Sequence, residues 1–223
     1  MFTMQGAIFD LDGVIVDTAK YHFLAWKRLA AGFGFDFTEA DNERLKGVSR
    51  MRSLDILLEA GRRSISETEK EVAAAKKNAW YLEYLETLKQ TDMLPGALEY
   101  LDYLKNWGVR VALGSASKNA AFILGRLGIH GLFDAVIDGD AVSAAKPDPE
   151  VFLKAAAALS LSPSVCVVFE DSFAGVQAAK AGGMKVVGVG SPELLPGADM
   201  CVSCLKEMLF KARDMNHTLD SHG

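Results

Sequence analysis

Cysteine is scarce in this 223-residue sequence: Cys166, Cys201 and Cys204 make an odd count. That argues against a disulfide framework and for a reducing, cytoplasmic setting. Cys201 and Cys204 form a C-x-x-C, but no second pair or neighbouring histidine completes a zinc site, so both read as ordinary half-buried thiols. Long hydrophobic runs are missing too. Nothing approaches the roughly 20 consecutive apolar residues of a membrane helix. Basic charge is not in excess, with 24 Lys and Arg against 29 Asp and Glu and a formal charge of −5. That balance argues against a nucleic-acid binder, which would show a basic face. The opening MFTMQGAIFD has no basic stretch and meets Asp10 too early for a secretion signal. No internal repeat or low-complexity segment is visible.

What is present is apolar and punctuated. Half of the residues are hydrophobic and 24% charged, enough to bury a sizeable core. Short β-rich runs at Ala7–Phe9, Val109–Gly114, Ala135–Ile137, Val165–Phe169 and Lys185–Val189, with a weaker one at Met200–Ser203, predict buried strands. Segments of helical period alternate with the later ones: Ala97–Trp107, Ala120–Leu127, Glu150–Leu159 and Ala174–Ala181. The alternation predicts an α/β protein with a parallel sheet covered by helices on both faces. Residues 17–93 offer no convincing strand. They hold instead helical patterns at Lys20–Ala31, Arg52–Ala60 and Ser66–Lys89, the last opened by the capping-box sequence Ser66-Glu67-Thr68-Glu69. A helical domain at 17–93 is therefore expected as an insertion into a core made of 1–16 and 94–223. The polar tail 214–223 is expected to fray.

In an open parallel sheet, ligands bind beyond the carboxyl ends of the strands. The predicted strand ends carry Asp10-Leu11-Asp12, then Ser115-Ala116-Ser117-Lys118, then Glu170-Asp171. Lys146 lies in the AAKPDP loop, where Asp148 could simply cap the next helix with Pro149 at its first position. So much negative charge in one place calls for a cation. Oxygen ligands with no soft donor nearby suit Mg²⁺, which keeps waters and binds substrate phosphate as well. Carboxylates, Mg²⁺ and a lysine are the parts of a phosphoryl-transfer site. Asp10 is the candidate nucleophile and Asp12 the candidate acid and base.

FDLDGVIVDT, LGSAS, KPDP and FEDSFAGVQAAKAGG, in that order over nearly the whole chain, resemble the four motifs of the haloacid dehalogenase superfamily. The resemblance implies a Rossmann-like parallel sheet core flanked by helices, with an inserted all-helical cap domain. It implies that Asp10 accepts a phosphoryl group, that Asp12 is the acid/base, that Ser115 holds the phosphate and that Lys146 neutralises it. Asp10, Asp12, Glu170 and Asp171 are the implied Mg²⁺ set. Gly13 would let the chain turn sharply into the insertion.

The acceptor is set by the insertion. In LKGVSRMRS, Lys46 and Arg50 flank Gly47; Arg50 can clamp a phosphate in bidentate fashion, or the loop can simply be a solvated basic turn. DLDGVIVDTAKYHFLAWK, LKGVSR and GSASKN are similar to the phosphosugar mutases of that superfamily. That similarity implies a small phosphosugar substrate, with β-D-glucose 1-phosphate and glucose 6-phosphate interconverted through β-glucose 1,6-bisphosphate. A phosphatase of the same superfamily is the alternative. Under the mutase resemblance Arg50 binds the phosphate that is not transferred, helped by Ser117 and Asn119, and Lys118 is also a substrate-binding candidate. Gly47, Val48 and Ser49 contact the sugar, Lys46 and Ser53 are further substrate-binding candidates, and His22 assists by orienting the acid/base and cap. Lys77 either reaches the cleft or stays solvated. Val16 stands where the mutase pattern has a hydroxyl residue. A monomer with no nucleic-acid or membrane partner is expected.

Overall fold

The computed structural model describes residues 4–45 and 48–211; the expected tail at 214–223 lies outside them. A six-stranded sheet runs through the described residues: β1 (Gly6–Phe9), β2 (Arg110–Gly114), β3 (Ala135–Ile137), β4 (Cys166–Glu170), β5 (Lys185–Val189) and β6 (Met200–Val202). Its order is β3-β2-β1-β4-β5-β6, with every pairing parallel. Each strand lies within a residue or two of its apolar run. The runs are apolar on both sides because both faces are covered. Ala7 and Phe9 enter one core with α5 (Ala97–Asn106) and α6 (Ala120–Leu127). Ile8 enters the other with α7 (Glu150–Ala158) and α8 (Phe173–Ala181). Phe9 stacks on Phe169 of the neighbouring strand at 4.5 Å, and Tyr100 meets both rings edge-on. Residues on β1 are wholly buried, at roughly 25 cal/mol for each Å² of apolar surface removed from water.

Among the described residues between β1 and α5 lie four α-helices: α1 (Ala19–Gly32), α2 (Glu39–Glu43), α3 (Arg50–Ala60) and α4 (Glu67–Leu85). They enclose a third core, built on Trp26, Leu29, Phe37, Leu54 and Leu57. The capping box at Ser66 forms as the sequence suggests: Glu69 accepts from the Ser66 N–H and the Ser66 hydroxyl accepts from the Glu69 N–H. Three expectations need correction. Helix α4 ends at Leu85 instead of Lys89: the next N–H groups switch to i→i+3 bonds, Thr87 to Tyr84 and Leu88 to Leu85, and the Arg126 guanidinium takes the Glu86 and Leu88 carbonyls. Helix α2 was not foreseen; Thr38 and Asp41 cap it reciprocally. Pro149, not Asp148, occupies the cap position of α7, while Asp148 accepts the Glu150 N–H from one residue further out.

The chain leaves and re-enters the sheet side by side. Val16 bridges to Met93, and the Leu94 N–H donates to the Ile15 carbonyl at 2.9 Å. Val16 is completely buried there, so its apolar side chain serves packing. Cys201 and Cys204 are free and half-buried. Among the described residues no helix is long and apolar enough to cross a membrane.

Candidate active site

β1 and β4 are hydrogen-bonded neighbours in register Phe9 to Phe169, and the Asp10 N–H donates to the Phe169 carbonyl at 2.9 Å. The next residue of each strand therefore points out of the same end of the sheet. Those residues are Asp10 and Glu170, both buried. Lys146 reaches in between them from the loop before α7, with Nζ donating to Asp10 Oδ1 at 2.6 Å and to Glu170 Oε2 at 2.8 Å. The other Glu170 oxygen accepts from both the N–H and the hydroxyl of Ser172, which in turn caps α8. A side chain at Gly175 would sit 2.0 Å from the Glu170 carboxyl carbon, so only glycine admits the carboxylate there.

Asp10, Glu170 and Asp171 each offer an oxygen within 4.8 Å of the others. Burial raises the Asp10 pKa to about 7, against the pull of Lys146. One lysine thus leaves this carboxylate short of positive charge, and a bound cation would return it to its ionised form. An all-oxygen set of this kind fits Mg²⁺. Burial works against the Lys146 charge as well, but Asp10 and Glu170 outweigh it and hold the ammonium protonated. The Asp12 carboxylate is not part of the cluster: it accepts the hydroxyl of Thr18, a residue with no motif or spacing to single it out. Burial also raises the Asp12 pKa, which favours the protonated form that an acid needs. Gly13 follows at φ +84°, and a Cβ there would lie 2.0 Å from Asp171 Oδ2. This one glycine both makes the turn toward the cap and leaves room for the Asp171 carboxylate.

The phosphate-binding candidates form a relay beyond β2. Ser115 is buried and its hydroxyl accepts from the Ser117 N–H; the Ser117 hydroxyl accepts from the Asn119 N–H. Lys118 pairs with Asp140 at 2.6 Å. Facing these across a cavity of about 790 Å³ are Val48, Ser49, Arg50 and Ser53 of the cap, with His22 and Lys77. Ser49 caps α3 by accepting the Arg52 N–H, which sets Arg50 in its first turn. Lys77 is buried, so its reading as a solvated lysine is overturned. Its Nζ lies 2.8 Å from His22 Nδ1 and over the rings of Trp26 and Tyr81. Lys46 and Gly47 lie outside the described residues. Asn42, Asn78 and Asp140 were missed by sequence reasoning. Asn42 lines the cavity, and Asn78 receives a hydrogen bond from Asn119 at 2.9 Å.

A parallel sheet of this order, with paired aspartates ending its central strand, a buried lysine, a carboxylate pair on the adjacent strand and a helical insertion, defines one class of protein. The sequence model of the haloacid dehalogenase-like hydrolases matches residues 4–183, and the chain belongs to that family. Within it the chain closely resembles β-phosphoglucomutase. It is 45% identical over 201 residues to the β-phosphoglucomutase of Bacillus subtilis, covering 89% of each chain. The crystal structure of a β-phosphoglucomutase from Clostridium difficile superimposes with a TM-score of 0.90 at 39% identity, over 99% of this chain and 100% of that one. A phosphatase of phosphorylated carbohydrates from Thermotoga maritima is 37% identical over 82% of this chain and 83% of its own.

Proposed function

We propose that this protein is a Mg²⁺-dependent β-phosphoglucomutase, interconverting β-D-glucose 1-phosphate and glucose 6-phosphate through an aspartyl-phosphate and β-glucose 1,6-bisphosphate. The observation that carries the reading is one cavity with a phosphoryl-transfer apparatus at the core end and Arg50 in the cap wall. A site with cationic or hydroxyl groups at both ends fits a sugar bearing two phosphates, and its volume lies in the range of small-ligand sites. A phosphatase needs only the core end. In this reading 1–16 and 94–223 form the catalytic core and 17–93 the cap, a division that the bridge between Val16 and Met93 supports.

In this reading an Asp10 oxygen attacks the phosphorus of a bound phosphosugar, and the bond from phosphorus to the sugar oxygen breaks. Asp12, its pKa raised by burial and its carboxylate held by Thr18, gives its proton to the departing oxygen. In the return step Asp12 takes the proton of the acceptor hydroxyl, that oxygen attacks the aspartyl-phosphate, and Asp10 leaves as carboxylate. Lys146 and Ser115 hold the charge of the transferring group. Mg²⁺ on Asp10, Glu170 and Asp171 would neutralise the phosphoryl oxygens. Arg50, Ser117, Lys118 and Asn119 hold the remote phosphate, whose binding energy closes the cap and excludes water.

Arg50→Ala tests the second phosphate site. Losing a charge-assisted contact costs about 2–4 kcal/mol, or roughly 30- to 1,000-fold in phosphoryl return to the sugar. Transfer to Asp10 from acetyl phosphate, which has no remote phosphate, should fall far less. Equal losses in both would move the phosphatase reading ahead, the activity carried by the Thermotoga relative's name.

A further inference from the structure

Two side-chain contacts join helix α4 and the residues just past its end to core helix α6 and the residue before it. Asn119 Nδ2 donates to Asn78 Oδ1 at 2.9 Å, and the Arg126 guanidinium donates to the carbonyls of Glu86 and Leu88. The two points are eight residues apart, from Asn78 within α4 to Glu86 just past its end, which is about 12 Å along a helix axis. They differ in surroundings. The Arg126 end adjoins the return of the chain to the core, where Leu94 bonds to Ile15 and Met93 to Val16. At the other end Asn119 and the buried Lys77, the residue before Asn78, line the cavity, and among the described residues no backbone bond ties Asn78 to the core. Rotation of the cap about the Arg126 end would leave the contacts there largely intact and would separate Asn78 from Asn119.

We propose that Asn78 is a positioning residue that latches the cap over the cleft through Asn119, with Arg126 fixing the pivot. This deepens the proposed function and rests on its placing of Asn119 beside the remote phosphate. A carboxamide nitrogen carries two hydrogens. The bond to Asn78 uses one and orients the other toward an anionic oxygen in the cavity. Closing the cap and aiming Asn119 are then the same event. The contact is half-buried and neutral, so it is a weak latch, strong enough to bias the closed state and weak enough to release product.

The test measures cap position directly. Spin labels on Val72→Cys in the cap and Trp107→Cys in the core, both exposed, report the distance between the two by electron–electron resonance. Cys201→Ser and Cys204→Ser remove competing labels. Asn78→Ala should lower the closed-to-open ratio of the ligand-free protein roughly 3- to 10-fold, the worth of one neutral hydrogen bond. Asn78→Asp, which keeps the acceptor oxygen, should restore most of it. For the phosphosugar, KM should rise by a similar factor in Asn78→Ala, with phosphoryl transfer from acetyl phosphate to Asp10 unchanged. An unchanged distance distribution in Asn78→Ala, or equal opening in Asn78→Ala and Asn78→Asp, overturns the latch. The distance measurement needs no turnover. Absence of mutase activity in the wild type would therefore sink the proposed function while leaving the latch to be judged on its own.

Discussion

Lys77 and His22 meet inside the cap with Nζ 2.8 Å from Nδ1, under the rings of Trp26 and Tyr81. Burial lowers the Lys77 pKa to about 7, helped by the charge of Arg50. Burial, Lys77 and Arg50 together keep His22 neutral. The pair thus places a weakly held proton beside Asp12, whose charge pulls the other way on Lys77.

The sign of the resulting pH dependence follows from which state holds the proton. Between about pH 7 and the ordinary lysine value of 10.5 the unfolded chain keeps the Lys77 proton and the folded chain has released it. Stability therefore rises with pH across that window, by up to about 1.4 kcal/mol per pH unit. Lys77→Met lacks this slope and should be more stable than wild type near pH 7, with the gap narrowing as the pH rises and closing only near the ordinary lysine value of 10.5. Urea unfolding of both proteins at several pH values checks it; a gap that widens with pH would contradict the buried, deprotonating lysine.

Asp10→Asn should lose turnover by more than about 10³-fold, since an amide oxygen cannot carry the phosphoryl group. Its mass should not change on treatment with acetyl phosphate. Asp12→Ala should be severely slowed but still bind phosphosugar, because it removes the proton donor and leaves Asp10, Glu170 and Lys146 paired as they are. Isothermal titration and intact-mass measurements separate the two outcomes.

Chelation should abolish activity, and Mg²⁺ should restore it far better than Ca²⁺. The larger ion takes more ligands and loosens the in-line geometry that three carboxylates within 4.8 Å can enforce. Full activity after exhaustive dialysis against EDTA would remove the metal from the account.

Gly13→Ala should damage the metal site more than the fold. Its φ of +84° costs a non-glycine residue about 1–2 kcal/mol. The new methyl must also displace the Asp171 carboxylate, 2.0 Å away. The Mg²⁺ concentration for half-maximal activity should rise at least about 10-fold, with a drop of only a few degrees in Tm; an unchanged Mg²⁺ requirement would contradict this placing of Asp171.

Much of this was legible in the sequence because strands buried on both faces are written as uninterrupted apolar runs, and the acidic residues stop those runs where the sheet ends. The pairing of Asp10 with Glu170 follows once β1 and β4 are adjacent. What stayed hidden depends on contacts between distant segments. Lys77 lies in the polar triplet KKN of α4, on the face that also carries Ala73, Ala74 and Tyr81, and the packing of Trp26 and Tyr81 around it shows that it is buried. Thr18, Asn78 and Arg126 carry no periodicity of their own, since each acts on a partner brought near by the fold. The short helix α2 could have been found from Thr38 and Asp41, which carry a capping box with aspartate in place of glutamate.

The most direct test of the central claim follows both fates of one phosphoryl group. The wild-type protein is incubated with β-D-glucose 1-phosphate, Mg²⁺ and a catalytic amount of β-glucose 1,6-bisphosphate, and glucose 6-phosphate and inorganic phosphate are measured together. The account predicts that glucose 6-phosphate forms in large excess over phosphate, because the closed cap returns the group from Asp10 to the sugar. Release of phosphate without glucose 6-phosphate would contradict it.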